Sequence, residues 1–141
     1  MNKKHILIIN GANLNLLGKR EQSIYGSQDF DSYLNKLRQE FNDVRIDYFQ
    51  SNIEGEIVNA LQNFNGDCII INAGGYSHTS VVIRDAILSV NIPCIEVHIS
   101  NIYAREEFRH KSLLSDVCQG SITGFGLNGY KLAVYHSVRC E

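Results

Sequence analysis

Hydrophobic and polar positions along this chain switch between two periods, and the switching predicts its elements. His5–Asn10, HILIIN, is a short apolar run closed by Gly11, which reads as a buried strand. Asp29–Phe41 repeats apolar side chains at Phe30, Tyr33, Leu34, Leu37 and Phe41, a helical stripe with Asp29 as its cap. Val44–Phe49 predicts a second strand. Ser51-Asn52-Ile53-Glu54 fits a capping box and opens a helix with Ile53, Ile57, Leu61 and Phe64 facing inward. Asn65-Gly66-Asp67 turns the chain into a third strand, Cys68–Ile71, which Asn72-Ala73-Gly74-Gly75 ends. A helix over Ser80–Val90, a strand over Cys94–Ile99 entered at Pro93, a strand over Val117–Phe125 and a helix over Leu127–Val138 complete the series.

Strands that alternate with helices predict an α/β fold: a doubly wound, five-stranded, parallel sheet in a single domain, 1–141. Five strands suit a flavodoxin-like order. No repeat, low-complexity tract or linker interrupts the chain.

Two stretches depart from the pattern. From Gly11 to Gln28 there is no clean periodicity, and Gly11, Gly18 and Gly26 punctuate the run. So long an irregular segment after a strand end predicts an active-site lid, over about 14–27. The second stretch is Ile95–Arg109, IEVHISNIYAREEFR. Ile95, Val97 and Ile99 take one parity; Glu96, His98 and Ser100 take the other. A parallel strand normally buries both faces and is apolar throughout. A carboxylate, an imidazole and a hydroxyl on one face therefore need a reason, and an open crevice at the strand's carboxyl end supplies one. Side chains two apart on a strand share a face, so Glu96 can fix the tautomer of His98. The same pair also fits a satisfied buried hydrogen bond. Arg105 and Arg109, four positions apart, share a face if they lie on a helical turn. They then form an anion clamp or a solvated surface.

Composition narrows the function classes. Hydrophobic residues are 44% and charged residues 20% of 141, which is ordinary for a water-soluble globular chain that can bury a core unaided. The net charge of −2 gives no basic field for nucleic acid. The start, MNKKHILIIN, has too short an apolar run for a signal peptide, and no run reaches membrane-spanning length. Cys68, Cys94, Cys118 and Cys140 form no CxxC pair; the first two lie in apolar runs and read as small hydrophobes in a reducing cytoplasm. The histidines are scattered, without metal-ligand spacing. Gly124–Gly129 matches GxGxxG, but a dinucleotide fingerprint needs a later strand and an acidic residue, so a tight strand-to-helix turn is the better reading. Gly75-Tyr76-Ser77-His78-Thr79 is a near miss for the hydrolase elbow GxSxG. Three strand ends, Asn10–Asn13, Asn72–His78 and Glu96–Asn101, are rich in Asn, Gly, His and Ser. Such groups suit a small polyhydroxylated or carboxylated molecule.

INGANLNLLGKRE with Tyr25-Gly26, INAGGYSHTSVVIRDA, and IEVHISNIYAREEFR together resemble type II 3-dehydroquinase over nearly the whole chain. The family usually carries proline where this chain has Ala12, a change expected to loosen the root of the lid by up to about 1 kcal/mol of chain entropy. The resemblance implies a flavodoxin-like subunit, a dodecamer built as a tetramer of trimers, and cofactor-free, metal-free loss of water from 3-dehydroquinate. It implies Tyr25 as the base that takes the C2 proton, Arg20 as its activator and His98 as the acid for the departing hydroxyl. Glu96 would orient His98, and Asn13 would help hold a water against the enolate oxygen. Asn72, His78, Asp85 and Arg109 would bind substrate, with the backbone at Ile99 and Ser100 seating its carboxylate. On their own, Tyr25 reads as an aromatic anchor in a loop and Arg20 as a solvent-exposed cation. Asn13 and Asn72 read as strand-end caps, Asp85 as a surface carboxylate and Ser100 as a turn former. The chemistry suits the residue types. A free phenol ionises near pH 10, so about one in a thousand is deprotonated at pH 7, and a nearby cation favours the charged form.

Overall fold

The computed structural model describes residues 3–19 and 21–140. Its elements run β1 (Lys4–Asn10), α1 (Gln22–Tyr25), α2 (Phe30–Glu40), β2 (Val44–Gln50), α3 (Glu54–Asn63), β3 (Cys68–Asn72), α4 (Val81–Ser89), β4 (Cys94–His98), β5 (Gly120–Thr123) and α5 (Asn128–Arg139). The five strands form one sheet in the order β2-β1-β3-β4-β5, and every pairing is parallel. This is the flavodoxin-like order the alternation of elements predicts.

Strand periodicity assigns the two faces. Ile6, Ile8, Ile70, Ile95 and Val97 pack with the buried stripes of α2 and α5. Leu7, Ile9, Ile69, Ile71 and Cys94 pack with Ile57 and Leu61 of α3 and with Ile83 and Ile87 of α4. The starts of α2 and α4 have a local cause. Asp29 accepts a hydrogen bond from Ser32 N at 2.8 Å, and Ser80 Oγ accepts one from Ile83 N at 2.9 Å. Both satisfy amide donors that a first turn leaves open.

The structure departs from expectation in four places. Ile53 does not face inward; it is 60% exposed and precedes α3 as its N-cap. Ser51 bonds the Glu56 carboxylate instead of Glu54 and accepts from Ile53 N, so the turn begins two residues later than the capping-box pattern implies. β5 covers only Gly120–Thr123, because Ser115–Val117 is drawn into a 3-10 turn in which the Val117 and Cys118 amides both donate to Leu114 O. The segment after β1 is not structureless either. Leu14–Leu16 forms a 3-10 turn, α1 follows, and Leu14 and Leu17 are buried. Finally, Arg105 and Arg109 do not share one helical turn. Ile102–Ala104 and Glu107–Arg109 are separate 3-10 turns, parted at Arg105 by extended backbone (φ −111°, ψ −166°).

The order reverses direction between β1 and β3, and their carboxyl ends open a crevice there. Gly11 lies hard against the end of β3: its amide donates to Asn72 O at 2.8 Å, and a Cβ would fall 2.2 Å from Ala73 O. Only glycine fits so close a crossing. Gly124 and Gly126, both at positive φ, donate their amides to His98 O and Ile99 O. The GxGxxG string is thus a tight turn that clasps the end of β4.

Candidate active site

The three strand ends meet in one cavity. It is lined by Asn13, Leu14 and Tyr25 from the segment after β1, by Asn72, Gly74 and His78 after β3, and by His98, Ile99, Ser100, Arg105 and Arg109 from the end of β4 onward. Its volume is about 160 Å³, smaller than the roughly 300–1,000 Å³ of drug-sized sites. It suits one small molecule.

Glu96 and His98 project from β4 toward the same side, as period two requires. Glu96 is fully buried and His98 is 5% exposed. His98 Nε2 stands 2.9 Å from Glu96 Oε2, but off the line of a straight hydrogen bond, so the contact is electrostatic first. Burial alone would raise the Glu96 carboxyl. The His98 ring, with the hydroxyls of Ser112 and Ser115, outweighs burial and holds it down at about 2. With Nε2 turned to the carboxylate, Nδ1 is the nitrogen left for a ligand. The His78 ring lies over His98 with centroids 6.0 Å apart. His78 Nδ1 donates to Lys111 O at 2.8 Å, which fixes its tautomer and leaves Nε2 for the cavity.

A depressed carboxyl in the folded state adds stability above its unfolded pKa of about 4.3, and that stability fades as pH falls toward 2. Glu96→Gln is expected to remove on the order of 2 kcal/mol of the stability lost between about pH 6 and pH 3. Denaturant titrations at the two pH values measure it; equal pH dependence in both proteins would contradict the assignment.

Tyr25 packs partly buried against the core at the end of α1. Its phenol oxygen accepts a hydrogen bond from Arg105 Nη1 at 2.7 Å, and the guanidinium carbon lies 5.5 Å from the ring centroid. Arg105 also reaches Ser100 Oγ at 3.4 Å and approaches Glu106 and Glu21 at 3.8 and 4.0 Å. Arg109 bonds Glu106 at 3.2 Å. Asn72 is buried; its Nδ2 donates to Tyr130 OH at 2.9 Å, and that hydroxyl donates to Asn10 Oδ1 at 2.7 Å. Asn13 holds a left-handed conformation (φ 70°), and its amide donates to Asn52 Oδ1 at 2.9 Å.

Of the residues singled out from sequence, Asn13, Tyr25, Asn72, His78, His98, Ile99, Ser100 and Arg109 line this cavity, and Glu96 backs it. Asp85 does not: it lies on the exposed face of α4, outside the lining. Arg20 lies outside the described residues. Arg105 was legible only as half of an arginine pair; its bond to Tyr25 spans 80 positions and leaves no local sequence signal. Ser77 is fully buried, and among the described residues its Oγ has no hydrogen-bond partner, so no histidine activates it as a hydrolase elbow would require. Among the described residues no three His, Cys, Asp or Glu side chains cluster at metal-binding distance.

Residues 4–138 match the model of the family described as Dehydroquinase class II. This chain belongs to the class II dehydroquinases. The 3-dehydroquinate dehydratase of Francisella philomiragia is 55% identical over 135 residues, covering 94% of this chain and 93% of that protein. The 3-dehydroquinate dehydratase of Caldicellulosiruptor bescii is 50% identical, covering 94% of each chain. Among solved structures, the type II dehydroquinase of Butyrivibrio crossotus superposes with a TM-score of 0.91 at 46% identity, over 95% of this chain and 97% of that one. As a class II dehydroquinase, the chain carries the family's fold from β1 through α5.

Proposed function

We propose that this class II dehydroquinase removes water from 3-dehydroquinate to give 3-dehydroshikimate, by anti elimination through an enolate and without a cofactor. The observation that carries the mechanism is the cation-bonded phenol of Tyr25 lining the same cavity as the carboxylate-backed imidazole of His98. Abstracting a proton beside a ketone needs a base, and expelling hydroxide needs an acid.

Tyr25 serves as the base for the C2 proton. Arg105 donates to its oxygen; Arg20, on the same segment, is the activator that the family resemblance implies. Closure of the segment over about 14–27 excludes water around the pair. His98 protonates the departing C1 hydroxyl, and the Glu96 anion stabilises the imidazolium before transfer. Asn13 helps hold a water at the enolate oxygen, while Asn72, His78 and Arg109 grip the substrate and the backbone at Ile99 and Ser100 seats its carboxylate.

Asp85 is assigned to the substrate of a neighbouring subunit. It stands on α4 away from its own cavity, beside Val81, Val82 and Leu88, which are 57%, 53% and 60% exposed. Apolar side chains clustered on such a face favour a homo-oligomer, and the resemblance makes it a dodecamer, a tetramer of trimers of single-domain cytoplasmic subunits.

Incubation with 3-dehydroquinate tests the reading. The conjugated product absorbs in the ultraviolet and the substrate does not, so rising absorbance that survives a chelator is the expected result. A flat trace with folded protein would reject the activity.

A further inference from the structure

Three serines outside the cavity surround Glu96. Ser115 and Ser121 both donate to Oε1, the latter at 3.0 Å, and Ser112 donates to Oε2. His98 Nε2 takes the remaining side of Oε2 at 2.9 Å. An ionised carboxylate has about four acceptor positions; the three hydroxyls fill three of them, and the His98 ring stands beside the fourth. The serines come from two separate pieces of chain. Ser112 and Ser115 lie on the loop before β5, and Ser121 lies directly opposite Glu96 in the β4–β5 register. Ser112 Oγ also accepts from Leu114 N at 3.1 Å, which aims its own hydrogen at the carboxylate.

We infer that Ser112, Ser115 and Ser121 are positioning residues that keep the buried Glu96 anionic and aimed at His98. The inference rests on the reading of His98 as the general acid. The choice of donor matters. A buried carboxylate needs hydrogen bonds to remain charged. A lysine or arginine would supply them but would also neutralise the charge that the imidazolium needs. Hydroxyls supply donors and add no net charge, so the whole negative charge faces the ring.

The surroundings agree with this division. From β3, Ile71 lies opposite Glu96 in the strand register, and from the covering loop Leu114 is fully buried. The titratable neighbours are His98 and the Cys118 thiol, which burial pushes far up and keeps neutral. Asp116, on the same loop, is paired with Arg84. Among the described residues no lysine or arginine forms an ion pair with Glu96.

The test combines a titration with kinetics. In the Ser112→Ala/Ser115→Ala double variant, the Glu96 carboxyl, followed by carbon-13 NMR of glutamate-labelled protein, is expected to titrate at least one pH unit higher than in the parent. At neutral pH kcat is expected to fall tenfold or more with KM within about twofold, and Ser115→Thr should restore most of it in the single-site series. Ser121→Ala, on the exposed edge strand, should show a smaller shift of the same sign and covers the case in which the double variant fails to fold. An unmoved Glu96 titration in folded variants, or a loss confined to KM, would overturn the inference. Parent enzyme inert toward 3-dehydroquinate would sink the catalytic reading alone, since the Glu96 titration is read without turnover.

Discussion

Tyr25→Phe is expected to lower kcat by roughly three to four orders of magnitude, in the range that removal of a general base produces. The substitution deletes one oxygen and keeps the ring, so the packing of Tyr25 against the core persists. It also leaves Arg105 Nη1 without the acceptor it now holds at 2.7 Å. KM should therefore change far less than kcat, because the lost interaction belongs to proton transfer. Arg105→Ala separates base from activator. With the phenol present and its hydrogen-bonded cation gone, kcat is expected to fall by about 10²-fold at neutral pH. Steady-state kinetics measure both. Near-parental turnover by Tyr25→Phe would remove the phenol from the reaction.

His98→Ala is expected to cost at least as much, roughly 10³-fold or more in kcat, because it removes the acid and strands its partner. Glu96 would remain fully buried with its three hydroxyls and without the ring. Destabilisation should accompany the loss of rate, so circular dichroism and thermal melting belong beside the assay. His98→Gln, which retains a polar side chain of similar reach, should regain stability before it regains turnover. A His98→Ala enzyme that stays folded and turns over normally would transfer the acid role elsewhere.

The sheet was legible because its cause is local. The apolar runs at Ile6–Ile9 and Ile69–Ile71 need no partner to be recognised, and each becomes a strand buried on both faces. Helix starts were legible where a single side chain makes the cap, as at Asp29 and Ser80. Ile53 misled because one residue can continue a helical stripe on paper while standing outside the first turn. Val117 and Cys118 have strand-forming side chains, but their amides are already committed to Leu114 O. The clustering of Asn13, Asn72 and His98 followed from the rule that open parallel sheets carry their crevice at the strand ends. Spacing could not say which arginine turns to Tyr25, since extended backbone at Arg105 divides a stretch that reads as one helix. Nor could it reveal that Ser112, Ser115 and Ser121 meet Glu96, because those contacts cross 16, 19 and 25 positions.

The hydrogen-bonded link from Asn72 through Tyr130 to Asn10 joins partners 58 and 120 positions apart. Tyr130 belongs to α5, the most C-terminal helix described. A ribosome delivers Asn10 and Asn72 long before it delivers Tyr130. Until α5 docks, the polar ends of β1 and β3 are left to water, and the nascent chain has a sheet without a finished floor beneath its cleft. Competence to bind a ligand should thus arrive late and abruptly in the life of each new molecule.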